Sequence, residues 1–129
     1  KKFSSNYNYF INLDLSYNKI DKLKKDWNEH YFGAEINLRN NLIEKIDLIE
    51  LLGSKFFSKI DLSSNKINYI KNSTKQIKFY SYLDYLNLNN NNFDGFILDL
   101  NLFSNYKNLI HLDLSQNMFY KIENGLLFS

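Results

Sequence analysis

The chain repeats itself. Five blocks share one phrase, apolar-x-Leu-x-x-Asn-x-apolar, over residues 13–20 (LDLSYNKI), 36–43 (INLRNNLI), 60–67 (IDLSSNKI), 86–93 (LNLNNNNF) and 112–119 (LDLSQNMF). Their asparagines, Asn18, Asn41, Asn65, Asn91 and Asn117, are separated by 23, 24, 26 and 26 positions. A further apolar residue follows each block by three, at Leu23, Ile46, Ile70, Phe96 and Ile122. Another leads it by three at Phe10, Phe57, Leu83 and Leu109, with Gly33 in the remaining place. A period of this length means a stack of similar turns, because one such unit cannot bury its own apolar face and its neighbours must cover it.

Each block has its own physics. The alternating pair, such as Leu13 and Leu15, has the period of two that marks a short strand with one buried face. The Asn ends it, because a short amide both donates to and accepts from backbone groups where the chain turns inward. Stacked strands then run parallel along one surface, and the rest of each repeat returns along the other side. Among the returns, residues 47–57 (DLIELLGSKFF) place Leu48, Ile49, Leu51 and Leu52 at helical spacing with Gly53 as a stop, which predicts a short helix. Residues 24–31, 71–82 and 97–107 lack that periodicity and read as 3₁₀ turns or irregular loops.

The five blocks resemble the leucine-rich repeat family over essentially the whole chain, and the 23 to 26 residue lengths resemble its typical class. The phrases LFSNYKNLIHLDLSQN at 102–117 and GLLFS at 125–129 are similar to repeats of Toll-type receptor ectodomains. The resemblance implies an α/β solenoid: a right-handed β-α superhelix with a short parallel concave sheet and an irregular or short-helical convex side. It implies one domain, residues 1–129, of about five repeats at 10–32, 33–56, 57–82, 83–108 and 109–129, cut from a longer array.

Charge and composition narrow the chemistry. Lys and Arg total 16 against 14 Asp and Glu, a net charge of +2 spread along the chain. That is too dilute for nucleic acid or an anionic membrane, both of which need a concentrated basic face. The apolar runs are a few residues long, far short of the roughly 20 that span a bilayer, so no direct membrane insertion by this segment is expected. Cysteine is absent, which removes disulfides, thiolate zinc sites and cysteine nucleophiles together.

On such a sheet the residues flanking the inward pair project from the concave side. They fall into three rows: Asn12, Glu35, Lys59, Tyr85 and His111; Asp14, Asn37, Asp61, Asn87 and Asp113; Ser16, Arg39, Ser63, Asn89 and Ser115. Asp14 and Asp61 stand two strands apart, about 10 Å, too far for one ion to join. The intervening Asn residues relieve carboxylate repulsion, and no metal or other cofactor is expected. His111 has neither a nucleophile nor an oxyanion site converging on it, His30 sits on a return, and the four Gly are isolated, so no enzyme is expected. Exposed aromatic and guanidinium groups on a rigid sheet are good anchors. The expected ligand-binding residues are Tyr17, Arg39, Lys59, Asp61, Tyr85, Asn87, His111 and Asp113, with Leu42 and Met118 adding apolar contacts at the strand exits. Trp27 is expected to pack on the convex side.

These readings converge on a non-enzymatic module that recognises a protein ligand on its concave face, as part of a receptor-like ectodomain. The alternative is an intracellular scaffold or regulatory subunit. The tripeptide Asn72-Ser73-Thr74 is an acceptor pattern for N-glycosylation and favours an extracellular or cell-surface location, whereas missing cysteines favour the cytoplasm. Five strands give a concave footprint of about 400 Å², against roughly 800 Å² per partner in a standard interface. Either the array continues beyond this segment, or its open ends pair between copies as a homodimer.

Overall fold

In a computed structural model of the protein, the described residues are 8, 9, 12–24, 31, 32, 35–48, 51, 57–71, 82–104 and 106–123. Five three-residue strands, one per block, build a parallel sheet: β2 (Asn12–Asp14), β4 (Glu35–Asn37), β6 (Lys59–Asp61), β8 (Tyr85–Asn87) and β10 (His111–Asp113). They lie side by side in chain order. Equivalent positions are in register, Leu13 with Ile36, Ile36 with Ile60, Ile60 with Leu86 and Leu86 with Leu112. The centre of each triplet points inward, so Ile36, Ile60 and Leu86 are buried, as are Leu38, Leu62 and Leu88 two residues on. Burial of each such side chain contributes roughly 1.5 to 3 kcal/mol. Just ahead of β2 and β4, β1 (Asn8–Tyr9) and β3 (Tyr31–Phe32) form a further parallel pair.

Past each triplet the inter-turn bonding continues and then the chain bends. Leu15, Leu38, Leu62 and Leu88 donate their N–H groups to Asn37, Asp61, Asn87 and Asp113 of the following turn, each at 2.8 Å. The residue before every repeat asparagine is left-handed: Tyr17, Asn40, Ser64, Asn90 and Gln116 have φ between 53 and 55°. For an L-residue this costs roughly 1 to 2 kcal/mol, and the asparagine amides offset it. Asn65 Nδ2 donates to the carbonyls of Leu38, Leu62 and Ser63, while its Oδ1 accepts from Ile43 N–H. Asn41 and Asn91 repeat the arrangement on Ile20 and Ile67. Asn117 bridges likewise to Leu88 and Leu114, but its Oδ1 accepts from Asn91 N–H. Each amide therefore ties its own turn to the preceding one.

The expected α/β class is corrected by the convex side. Where an irregular or short-helical return was expected, the second element of the described turns is another short strand: β5 (Lys45–Asp47) pairs with β7 (Tyr69–Lys71), and β9 (Ile97–Asp99) with β11 (Lys121–Glu123). The architecture is a parallel β-solenoid. Only one inward residue, such as Ile46 or Ile70, sits between exposed or half-buried neighbours here, so the local period is two, and pairing with the next turn satisfies the backbone without a helix. Of the helix expected over 47–57, Asp47 is the last residue of β5, helical backbone occurs at Leu48 and Leu51, and Ile49, Leu52 and Gly53 lie outside the described residues. The other helical backbone among the described residues is one 3₁₀ turn, η1 (Leu100–Phe103), whose start is capped by Asp99 accepting from Asn101 N–H at 2.9 Å.

One inward position also moves. In the fourth turn Leu98, not Phe96, pairs with Ile122 and is fully buried. Two additional residues, Asp94 and Gly95, enter between the bend and β9, and Gly95 takes φ +68°, a conformation open to a residue without Cβ. Phe96 is left half-buried against Phe93 and edge-on to Tyr69. The core runs between the two strand layers, from Ile36 to Leu98, and is closed on one side by Phe57, Leu83 and Tyr106. Tyr106 spans the stack: its hydroxyl donates to Leu48 C=O at 3.0 Å. Burial pushes that hydroxyl's pKa far up, and the Asp47 charge adds to the shift. Trp27, His30, Phe10 and Gly33 lie outside the described residues.

Candidate functional site

The concave surface is the outward face of β2, β4, β6, β8 and β10. Because the strands are in register, each row brings equivalent side chains to about one strand spacing, ~4.8 Å. In the first row this pairs unlike groups. Lys59 Nζ donates to Glu35 Oε1 at 2.7 Å, both half-exposed, and that bond to Glu35, followed by the carboxylate's charge, raises the lysine pKa. Tyr85 and His111 stack with ring centroids 4.5 Å apart and planes 3° from parallel. Both pairs fix the rotamers of long side chains on a rigid base, which lowers the entropy lost when a ligand lands on them.

The second row has a structural task that the spacing of acids and amides does not reveal. In every turn the side-chain Oδ1 accepts the N–H two residues on: Asp14 from Ser16, Asn37 from Arg39, Asp61 from Ser63, Asn87 from Asn89 and Asp113 from Ser115, at 2.8 to 3.0 Å. These Asx turns terminate the strands, and Asp and Asn serve equally because only an acceptor is needed. Ser115 Oγ donates to the same Asp113 oxygen at 2.6 Å. Hydrogen bonds from the Ser16 and Ser115 hydroxyls, then from their backbone N–H groups, hold the Asp14 and Asp113 carboxyls below the usual range. In the third row Asn89 Nδ2 donates to Ser115 Oγ at 2.6 Å, Arg39 is exposed, and Ser63 is buried with its hydroxyl unpaired among the described residues.

A shallow open trough of about 440 Å³ crosses the first four strands, lined by Asn12, Asp14, Glu35, Asn37, Lys59, Asp61 and Tyr85, with Leu13 and Ile36 at its floor. Of the expected ligand-binding residues it gathers Lys59, Asp61 and Tyr85. His111 joins it indirectly through the Tyr85 stack. Asn87 and Asp113 lie further along the sheet. Tyr17 and Arg39 sit at the strand exits outside the lining, Tyr17 being 76% exposed. Asn72 lies outside the described residues. Asn12, Asp14, Glu35 and Asn37 were not singled out as ligand-binding; the signal that finds Glu35 is its placement at the Lys59 position of the adjacent repeat, where opposite charges must meet.

The trough offers hydrogen-bond donors and acceptors, one ion pair and one aromatic face, a set suited to non-covalent recognition. Among the described residues no three His, Cys, Asp or Glu side chains converge as a metal site would require. Leu42 and Met118 are exposed beside the bends, Met118 strongly so. Comparison with known proteins gives no match to a family model and no match among the curated proteins searched.

Proposed function

We propose that the chain is a non-enzymatic protein-binding module of the leucine-rich repeat kind, which holds its protein ligand against the concave sheet. The observation that carries this reading is the in-register first row, where the Glu35–Lys59 pair and the Tyr85–His111 stack present charged and aromatic groups of fixed geometry above a shallow trough. The leucine-rich repeat assignment rests on the apolar-x-Leu-x-x-Asn phrase at 23 to 26 residue spacing, with strands rather than helices on the convex side. A flat, wet and mixed-charge surface suits a folded protein or an extended segment of one better than a small molecule, which needs a deep apolar pocket.

Site-directed photo-crosslinking tests the reading. A photoreactive residue replacing Asn37 or Asn87 should capture one discrete protein from the native source, and Tyr85→Ala should abolish that capture. The same residue at Lys66, on the other side of the bend, should not. Equal capture from Lys66, or no discrete product from the concave positions, would overturn it.

A further inference from the structure

The concave face differs in charge from the chain that carries it. Across its three rows four residues are acidic (Asp14, Glu35, Asp61 and Asp113) and two basic (Arg39 and Lys59), although the whole chain carries +2. Lys59 is held by Glu35 at 2.7 Å, and no ion pair reaches Asp14, Asp61 or Asp113 among the described residues. The fold does not require these three charges. Each carboxylate commits Oδ1 to the N–H two residues on, and Asn37 and Asn87 accept the equivalent bond with a neutral amide. The second oxygens of the three carboxylates, on side chains that are exposed or half-buried, have no hydrogen-bond partner among the described residues.

Their spacing is regular. Asp14, Asp61 and Asp113 stand on β2, β6 and β10, alternate strands of the in-register sheet, so they recur at two strand spacings, about 9.6 Å. A polyproline II helix advances about 3.1 Å per residue with three residues per turn, so every third side chain returns to one face after about 9.3 Å, a drift of about 0.6 Å over three carboxylates. A β-strand returns to one face after about 6.6 Å, and two turns of α-helix span about 10.8 Å, a drift of about 2.4 Å over the same row. The trough follows the row, crossing the first four strands from Asn12 to Tyr85. Tyr85, fixed by its stack on His111, supplies the kind of aromatic wall against which polyproline II segments dock. The intervening strand β4 carries Asn37 and, at its exit, the exposed Arg39, so a cation at every strand spacing is repelled there and one at every second spacing is not.

We infer that the ligand segment the trough receives is a basic, proline-rich stretch in polyproline II conformation, lying across the strands with Lys or Arg at every third position over Asp14, Asp61 and Asp113. The inference rests on the concave-face reading of the proposed function and names the chemistry of its partner. The cations meet the free carboxylate oxygens, and the apolar ring faces between them pack beside Tyr85.

Fluorescence anisotropy at low ionic strength tests this with four labelled synthetic peptides. The first is proline-rich with three lysines at every third position; the second carries the same lysines at every second position; the third is helix-forming with lysine at every seventh position; the fourth is the first with Glu for Lys. The first should bind best, weaken as salt is raised, and lose about two- to fivefold in affinity in Asp61→Asn, the loss of one exposed ion pair. The triple variant Asp14→Asn, Asp61→Asn, Asp113→Asn should abolish binding while keeping the wild-type circular dichroism, since each Asn retains the acceptor. No binding of the first peptide overturns the inference, as does equal or tighter binding of any other peptide or indifference to the triple variant. Photo-crosslinking from Asn37 separates the two readings: a protein captured by wild type and by the triple variant alike, and lost in Tyr85→Ala, leaves the protein-binding function standing and overturns this inference alone.

Discussion

Replacing Asn65 by Leu or Asp separates the contributions of the bridging amide. Its four bonds do not count equally. Leu38 C=O keeps Asn41 Nδ2, Leu62 C=O keeps Asn91 Nδ2 and Ser63 C=O keeps Asn40 N–H when Asn65 is lost. Only Ile43 N–H, in a fully buried residue, is orphaned. An unsatisfied buried donor costs about 1 to 3 kcal/mol and a lost supplementary bond about 1 kcal/mol, so Asn65→Leu should destabilise by about 2 to 4 kcal/mol. Asn18→Leu, which removes only exposed contacts to its own turn, should cost less than about 1 kcal/mol. Asn65→Asp keeps the acceptor for Ile43 N–H but aims its second oxygen at three carbonyls. Burial and those acceptors raise the folded-state pKa of the introduced carboxyl. An acid whose pKa is raised on folding loses stability as pH climbs from the unfolded value, about 3.9, to the folded one. Urea unfolding of Asn65→Asp should therefore show its deficit against wild type widening from pH 4 to pH 8. A deficit independent of pH, or Asn65→Leu as stable as wild type, would refute the bridging role.

Three further outcomes follow from the geometry. Leu62→Ala, at the centre of the stack and fully buried, should cost about 2 to 5 kcal/mol in denaturant titration, because turns on both sides prevent collapse of the cavity. Tyr106→Phe should cost about 1 to 2 kcal/mol by leaving Leu48 C=O without its donor, measured as a fall in the urea midpoint at unchanged slope. Asp14 and Asp113 have lowered pKa values, so their stabilisation is present above the ordinary carboxylate pKa and disappears as pH falls through the lowered folded values; the Asp14→Asn, Asp113→Asn double variant should show a shallower loss of stability on acidification than wild type.

The repeat phrase by itself determined where the concave strands lie, which residues of each block face the core and where each turn bends. Those are properties of side chains read one at a time: Leu62 is apolar and flanked by polar residues, and the only buried place for it is a face shared with its neighbours. The convex side depended on a competition that residue patterns do not resolve. Residues 47–57 carry helical spacing, yet β5 ends at Asp47 because Ile46 lies beside Ile70 and the backbone finds its partners in the next turn. The Asp94-Gly95 insertion that replaces Phe96 by Leu98 is visible only once Leu98 and Ile122 are paired, since both apolar residues suit the position locally. Sequence rows placed Glu35 near Lys59 and Tyr85 near His111, but assigned Asp61 and Asp113 wholly to a ligand, when one oxygen of each already terminates a strand. The left-handed backbone at Tyr17, a residue with no local preference for it, is decided by Asn18 and Asn41, whose amides bond the carbonyl of Leu15 just before the bend. Hydrogen bonds between turns link residues more than twenty positions apart, and their geometry exists only after the stack has formed.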